Sequence, residues 1–271
     1  MEIKIMKIHL LKKNEIVIDK NNEIAINKSE LSKISLAEEY INNQFHIETE
    51  ILTRKEISKM PLRHEIINFI LTFLNRDTEY LEIGVRNTKE NFDLITATKK
   101  HSVDPGYESE INNADFKLTS DEFFEGLRKG NFLNSEIKFD VIFIDGSHLA
   151  EQVERDIRNS LDFLKEDGFI IMHDCNPPTE FHASENYYYR LSPSRDYWNG
   201  TTWKAFFKAR KRTDIFSCCI DTDWGVGIIS KTRNLGKPSQ IENAFFEYHV
   251  LNDNRKDSLN LVSFEEFKNL F

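Results

Sequence analysis

Phe139-Asp-Val-Ile-Phe-Ile-Asp-Gly-Ser-His148 is the stretch that decides the fold. Within it, Asp140–Ile144 reads as a strand buried on both faces, because its apolar residues follow one another instead of alternating with polar ones. Asp145, Gly146, Ser147 and His148 break the run, and Ala150–Leu164 carries a helical repeat. The same rhythm continues outward on both sides. Upstream lie an apolar helix over Leu62–Leu74, a strand over Tyr80–Ile83, a helix over Glu90–Thr98 and a second strand closing at Ser102–Asp104. A third strand over Asp115–Leu118 and a helix over Ser120–Lys129 lead back to the quoted stretch. Downstream lie a fifth strand at Phe169–Met172, a helix at Thr201–Arg212 and two closing strands, Ile215–Ile220 and Val226–Ile229. Strands alternating with helices at this spacing predict right-handed βαβ units. The fold class is α/β, a mostly parallel sheet with helices on both faces.

The rest of the chain frames this region. Residues 1–60 read as a small N-terminal extension: a strand at Ile3–Leu11, a hairpin around Asn21-Asn22 and a helix from Ser29 to about Gln44. Residues 61–235 form the predicted main domain, and 236–271 a helical tail packed on it. Pro177 to about Gly200 is too long for an ordinary connection and rich in Tyr, Asn, Ser and Arg, which predicts a binding loop or lid. With 271 residues the chain can bury about three quarters of its surface without staples. Lys and Arg number 36 against 45 Asp and Glu, a formal charge of −9, which argues against a nucleic-acid surface. Three cysteines make no disulfide framework, no signal sequence opens the chain, and no apolar run reaches the ~18 residues of a membrane span. A cytoplasmic protein is expected, alone or as a homodimer.

In an open α/β sheet, ligands bind beyond the carboxyl ends of the strands. The residues there are Glu82, Gly84, Arg86 and Asn87 after the first strand; Asp104 after the second; Ser120 and Asp121 after the third. Asp145 and His148 follow the fourth, and His173, Asp174 and Asn176 the fifth. Gly84 lets the backbone approach a ligand, and the helix after it would offer free N–H groups. Asp104 stands 20 residues beyond Gly84, where an acid binds ribose hydroxyls in nucleotide-binding βαβ units. The plainer alternatives are that Asp145 caps the next helix or ends its strand, that Asp174 caps its loop, and that His148 and His173 are packed histidines. Asp223-Trp224-Gly225 reads as a strand turn. Lys208–Arg212 reads as a solvated helix face.

Tyr80-Leu-Glu-Ile-Gly-Val-Arg-Asn-Thr-Lys, Ser102-Val-Asp-Pro-Gly, the Ile-Asp-Gly-Ser-His of 144–148 and Asp167-Gly-Phe-Ile-Ile-Met-His-Asp-Cys-Asn occur in the order and spacing of a known family. Over about residues 62–230 the chain resembles the class I S-adenosylmethionine-dependent methyltransferases. The nearest branch is the bacterial one with an Ile-Asp-Gly-x-His strand end, related to macrocin-type and glycan-associated O-methyltransferases. The resemblance implies a Rossmann-like seven-stranded sheet ending in an antiparallel hairpin. It also implies S-adenosyl-L-methionine held by Glu82, Gly84, Arg86, Asn87, Asp104 and Asp145, with Ser120 and Asp121 near its adenine. The family's glycine-rich first motif is reduced here to Gly84 alone. Some relatives hold Mg²⁺ or another divalent metal with the acids after strands four and five. That implies Asp145 and Asp174 as ligands here, with His173 and Asn176 as further candidates. Ser147 replaces the acid that serves as base in the macrocin-type branch, so His148 becomes the candidate base, assisted by Asp145. The expected reaction is O-methylation of a sugar-containing or small-molecule acceptor. Two rivals stay open: a metal-dependent hydrolase or oxygenase-like site, and a degenerate fold serving as an interaction module.

Overall fold

The computed structural model describes residues 43–108, 111–188 and 192–271. The strand, hairpin and most of the helix expected before residue 43 lie outside these residues. The chain divides into two compact units, residues 1–51 and 52–271. Among the described residues the first helix is α1 (Gln44–Ile57), which was not foreseen. After it come α2 (Arg63–Leu74), β1 (Glu79–Ile83), β2 (Lys99–Val103), α3 (Ser120–Lys129), β3 (Phe139–Ile144), α4 (Ala150–Phe163) and β4 (Leu164–Met172). The chain closes with α5 (Thr202–Arg210), β5 (Phe216–Ile220), β6 (Val226–Ser230), α6 (Tyr248–Asp253), α7 (Arg255–Leu259), β7 (Leu261–Val262) and α8 (Phe264–Lys268).

The seven strands lie in the order β2-β1-β3-β4-β6-β5-β7. β2, β1, β3 and β4 are parallel, and β6 runs antiparallel to both β4 and β5. Both faces are buried, as the unbroken apolar strands predict. Leu81, Ile83, Ile142, Ile144, Ile170 and Met172 pack with Phe123, Ile157 and Phe206 on one face. Tyr80, Val141, Phe143, Phe169 and Ile171 pack with Ile66, Ile67, Ile70 and Phe267 on the other. Residues i and i+2 of a strand share a face, so one apolar run feeds two cores.

Three local expectations are corrected. The helix expected over Glu90–Thr98 is absent; two single 3₁₀ turns, Thr88–Glu90 and Phe92–Leu94, stand there. Asn91 between them leaves helical geometry (φ −145°, ψ −60°). Its buried side chain is drawn to Glu82 Oε2, to which Nδ2 donates at 2.8 Å. A tertiary hydrogen bond thus overrides local propensity. The third strand shrinks to one parallel bridge, Val103 to Phe116. Asp115 turns its carboxylate back onto β2, accepting from Ser102 N (2.9 Å) and Oγ (2.8 Å), which ends the ladder. The count of seven is made up by β7, from the tail expected to be wholly helical, paired with Cys219 and Ile220.

Candidate active site

The register builds the site. Val103, Ile83, Ile144 and Met172 stand side by side on β2, β1, β3 and β4. The residues that follow, Asp104, Gly84, Asp145 and His173, therefore form one row along the carboxyl edge. Neighbouring strands are about 4.8 Å apart, so Asp104 and Asp145 lie about 10 Å apart with Gly84 between them. Gly84 has φ +89°, and a Cβ there would meet the Asp145 carbonyl oxygen at 2.2 Å. Only glycine lets β1 and β3 close at this point.

Around Asp145 the charged groups converge. Ligand atoms of Asp145, His148 and Asp174 lie within 4.8 Å of one another. His148 Nε2 stands 3.8 Å from Asp145 Oδ1 and 3.4 Å from Asp174 Oδ2. His173 Nδ1 is 3.0 Å from Asp174 Oδ2 and 3.3 Å from Asp145 Oδ1. Asp174 takes a left-handed backbone (φ +62°), a strained state for a residue with a side chain.

Two residues that the strand-end reasoning missed complete the cluster. Arg63, the first residue of α2, donates its backbone N–H to Asp223 Oδ2 (2.8 Å). Its guanidinium lies 3.3 Å from Asp223 Oδ1 and 3.8 Å from Asp145 Oδ2. Asp223 sits in the β5–β6 turn, where Asp223, Trp224 and Gly225 all have positive φ. Its Oδ1 is 3.3 Å from His173 Nε2. This turn is a turn, as read from the sequence, and it also delivers a carboxylate. Neither residue carries a local signal, since one opens an apolar helix and the other lies in a hairpin.

These contacts fix the charges. Burial tends to raise the pKa of Asp145, but His173, Arg63 and His148 outweigh it and hold the carboxyl below the usual range. Asp223 behaves alike: burial is outweighed by His173 and Arg63. Burial, together with Arg63, works against a proton on His173, and the carboxylates of Asp174, Asp145 and Asp223 overcome both and push its pKa up. The 2.7 Å contact between Arg63 Nη1 and His173 Nε2 is a hydrogen bond only while Nε2 is unprotonated.

His148 is held from above by the long loop. Its Nδ1 is 2.9 Å from the Trp198 carbonyl, which can only accept, so Nδ1 carries a proton and Nε2 is the ring nitrogen turned to the two acids. The Trp198 ring stacks on the imidazole at 5.1 Å, and Tyr187 meets Trp198 at 5.6 Å. Thr201 N donates to the His148 carbonyl at 2.7 Å, and Thr201 Oγ1 accepts from Ala150 N at 2.8 Å, capping α4. A cleft of about 370 Å³ opens beside Ser147, between Gln152 and Arg155 of α4 and Glu185 and Lys204.

The remaining sequence-predicted residues are placed as follows. Asp104 Oδ1 accepts from Gly106 N (2.6 Å) and shapes its own turn. Glu82 is buried beneath Gly84, accepting from Tyr80 Oη (2.6 Å) and Asn91 Nδ2 (2.8 Å), and burial lifts its pKa to about 7. Arg86 pairs with Glu90 at 3.1 Å, and Asn87 accepts from Lys89 N at 3.2 Å. Ser120 Oγ accepts from Gln152 Nε2 at 3.0 Å, and Asp121 pairs with Arg155 at 3.1 Å. These last four stand outside the acid–histidine cluster. So does Asn176: its amide is spent on Asp221 (3.0 Å) and Arg255 (2.6 Å), leaving neither atom for a shared metal. The basic run over 208–212 pairs with Glu154, Glu242 and Asp214, except Arg210, which is buried and donates to the Ser217 and Lys237 carbonyls. All three cysteines are free and buried. Among the described residues no helix is long and apolar enough to cross a membrane.

Residues 69–175 match a family model described as a methyltransferase domain. No curated protein matches the chain. Among solved structures, an O-methyltransferase from Bacillus cereus in complex with SAH is 13% identical, over 72% of this chain and 95% of that one, with a TM-score of 0.38. The SAH-bound methyltransferase PaMTH1 of Podospora anserina is 18% identical, over 77% and 97%, with a TM-score of 0.39. The MycE methyltransferase of the mycinamycin biosynthetic pathway, in complex with Mg, SAH and mycinamycin VI, is 14% identical over 73% of this chain, at a TM-score of 0.40. This chain spans 57% of MycE's length.

Proposed function

We propose that this chain, which carries a methyltransferase domain, moves the methyl group of S-adenosylmethionine to a hydroxyl of a sugar-containing or small-molecule acceptor. The observation that carries the reading is the meeting of Asp145, Asp174 and Nε2 of His148 at the carboxyl edge of that domain. In the transfer the acceptor oxygen bonds to the methyl carbon, the carbon–sulfur bond breaks, and the hydroxyl proton leaves. His148 Nε2 is the base that takes the proton, and the Trp198 carbonyl fixes its tautomer. Gly84 opens the β1 edge to the cofactor, and Asp104, at the end of the neighbouring strand β2, would take the ribose hydroxyls. Trp198 and Tyr187 give the acceptor an aromatic wall suited to sugar C–H faces. The protein's task is in-line positioning of two reactants.

The acids also fit a divalent cation, with Asp145 and Asp174 as oxygen donors. Bound there, a cation such as Mg²⁺ lowers the pKa of an acceptor hydroxyl and fixes its orientation.

Calorimetry and thermal shift with S-adenosylmethionine and S-adenosylhomocysteine, with and without divalent metal, test the reading. Ligand at a hundredfold excess over Kd adds about 2.7 kcal/mol of stability. Asp104→Ala should abolish that gain while leaving the ligand-free melting temperature within a few degrees. If neither nucleoside stabilises the wild-type chain, the reading fails.

A further inference from the structure

One peptide group of the long loop is held from both sides. Its carbonyl, on Trp198, stands 2.9 Å from His148 Nδ1. Its N–H, on Asn199, donates to the His182 carbonyl at 3.0 Å, and that carbonyl also accepts from Gly200 N at 3.0 Å. His182 is wholly buried, and its ring is pinned by Thr53 Oγ1 (3.0 Å) and Thr179 Oγ1 (2.8 Å). A Cβ on Gly200 (φ +61°) would collide with the His148 carbonyl, so the chain after Asn199 lies directly against the candidate base.

The Asn199 side chain reaches the acid. It is wholly buried, and its Nδ2 donates to Asp174 Oδ1 at 2.7 Å and lies 3.4 Å from the Trp224 carbonyl. A carboxylate and a carbonyl face this end of the amide, which fixes it as the N–H₂ end. The other end, Oδ1, is buried without a partner. Such an orphan is costly, so the side chain is placed by what it gives to Asp174 and not by what it accepts.

We propose that Asn199 is a positioning residue for His148, acting through Asp174. This rests on His148 as the base of the proposed methyl transfer. Asp174 turns Oδ2 to His148 Nε2 at 3.4 Å and to His173 Nδ1 at 3.0 Å. The last torsion of an aspartate is broad, so contacts set the plane of its carboxylate. His173 alone would leave that plane free to pivot about Oδ2. Asn199 holds Oδ1 and supplies the second fixed point. When Nε2 takes the acceptor proton, the new positive charge arises beside a carboxylate already in place, with no reorganisation left to do. The same short run of loop therefore sets the base with its main chain and the acid with its side chain.

Nitrogen NMR of the full chain with labelled histidine tests this without any acceptor. The ring signals of His148, identified by their loss in His148→Gln, should shift in Asn199→Ala, while those of His101, paired with Glu79, stay in place. Unmoved His148 signals overturn the proposal. Methyl transfer from S-adenosylmethionine to methyl glycosides gives a second readout. In Asn199→Ala kcat should fall about 10–100-fold, as for a reacting group displaced by up to 1 Å. The Kd for S-adenosylhomocysteine should stay within about threefold of wild type. In a His148→Gln background the same substitution should cost less than about threefold, because the base it serves is gone; a full loss there overturns the positioning role. Asn199→Asp keeps the shape without the donor and should be as slow as alanine or slower; a wild-type rate overturns the proposal. Far-UV circular dichroism checks that each variant is folded, and Asn199→Asp takes the place of Asn199→Ala should the latter not fold. A wild type that binds neither S-adenosylmethionine nor S-adenosylhomocysteine removes the methyl-transfer reading, while the His148 signals still decide whether Asn199 positions that ring.

Discussion

Glu82→Gln should make the protein more stable above neutral pH, although Glu82 makes two good hydrogen bonds. The side chain is 3% exposed. Burial is the main cause of its rise from 4.5 to about 7, against the opposing pull of Tyr80 and Asn91. An acid with a raised folded-state pKa holds its proton more tightly in the native state than in the unfolded chain. Below about pH 4.5 both states are protonated and nothing is lost. Between pH 4.5 and 7 the unfolded chain ionises first, so stability falls as pH rises; above 7 the full penalty is present. A shift of 2.5 units corresponds to about 3 kcal/mol, of which about 2.5 kcal/mol falls between pH 5 and 8. A Gln carbonyl accepts from Tyr80 and Asn91 as Oε2 does, and the orphaned Asn91 Oδ1 offers its N–H₂ an acceptor in the same buried pocket. Urea unfolding of wild type and variant at pH 5, 6, 7 and 8 isolates the effect, because every other titration is shared. The difference should grow by about 2.5 kcal/mol in favour of Gln across that range. Parallel pH profiles would refute the burial argument.

Three further expectations follow from the same geometry. Gly84→Ala should lower stability by several kcal/mol in urea unfolding and weaken nucleoside binding, since its Cβ overlaps the Asp145 carbonyl at positive φ. Asp140→Ala should cost about 3–5 kcal/mol at the opposite end of the sheet. There the fully buried carboxylate accepts from Arg76 (2.7 Å), Lys165 (2.7 Å) and Glu79 N (2.7 Å). His148→Gln should slow methyl transfer by 10²–10⁴-fold with nucleoside affinity within threefold of wild type; an equal loss of both would assign His148 to binding instead.

How much of this was legible in the chain depends on distance along it. Asp145, His148, His173 and Asp174 follow strands whose apolar runs are unmistakable, so the sheet edge they share could be read directly. Arg63, Asn199 and Asp223 join them only through tertiary structure. Arg63 opens a helix whose pattern speaks of core packing, Asp223 sits where any hairpin turn would suffice, and Asn199 hides in a loop with no period at all. The lost helix after β1 has the same origin: nothing near Asn91 announces that Glu82, nine residues away, will claim its side chain. β7 spans two residues, too few for alternation to register.

The contribution of Asp223 sets a boundary on dissection. The segment matching the methyltransferase domain stops at residue 175 and starts after Arg63. A fragment trimmed to that match would retain both acids and both histidines of the sheet edge. It would lack the guanidinium that offsets them, the amide that rests on Asp174, and the hairpin whose three left-handed residues carry Asp223 to His173. Such a fragment would hold two neighbouring carboxylates with only the histidines left to offset them. Minimal versions of this protein should therefore be cut outside Arg63 and beyond the β5–β6 hairpin.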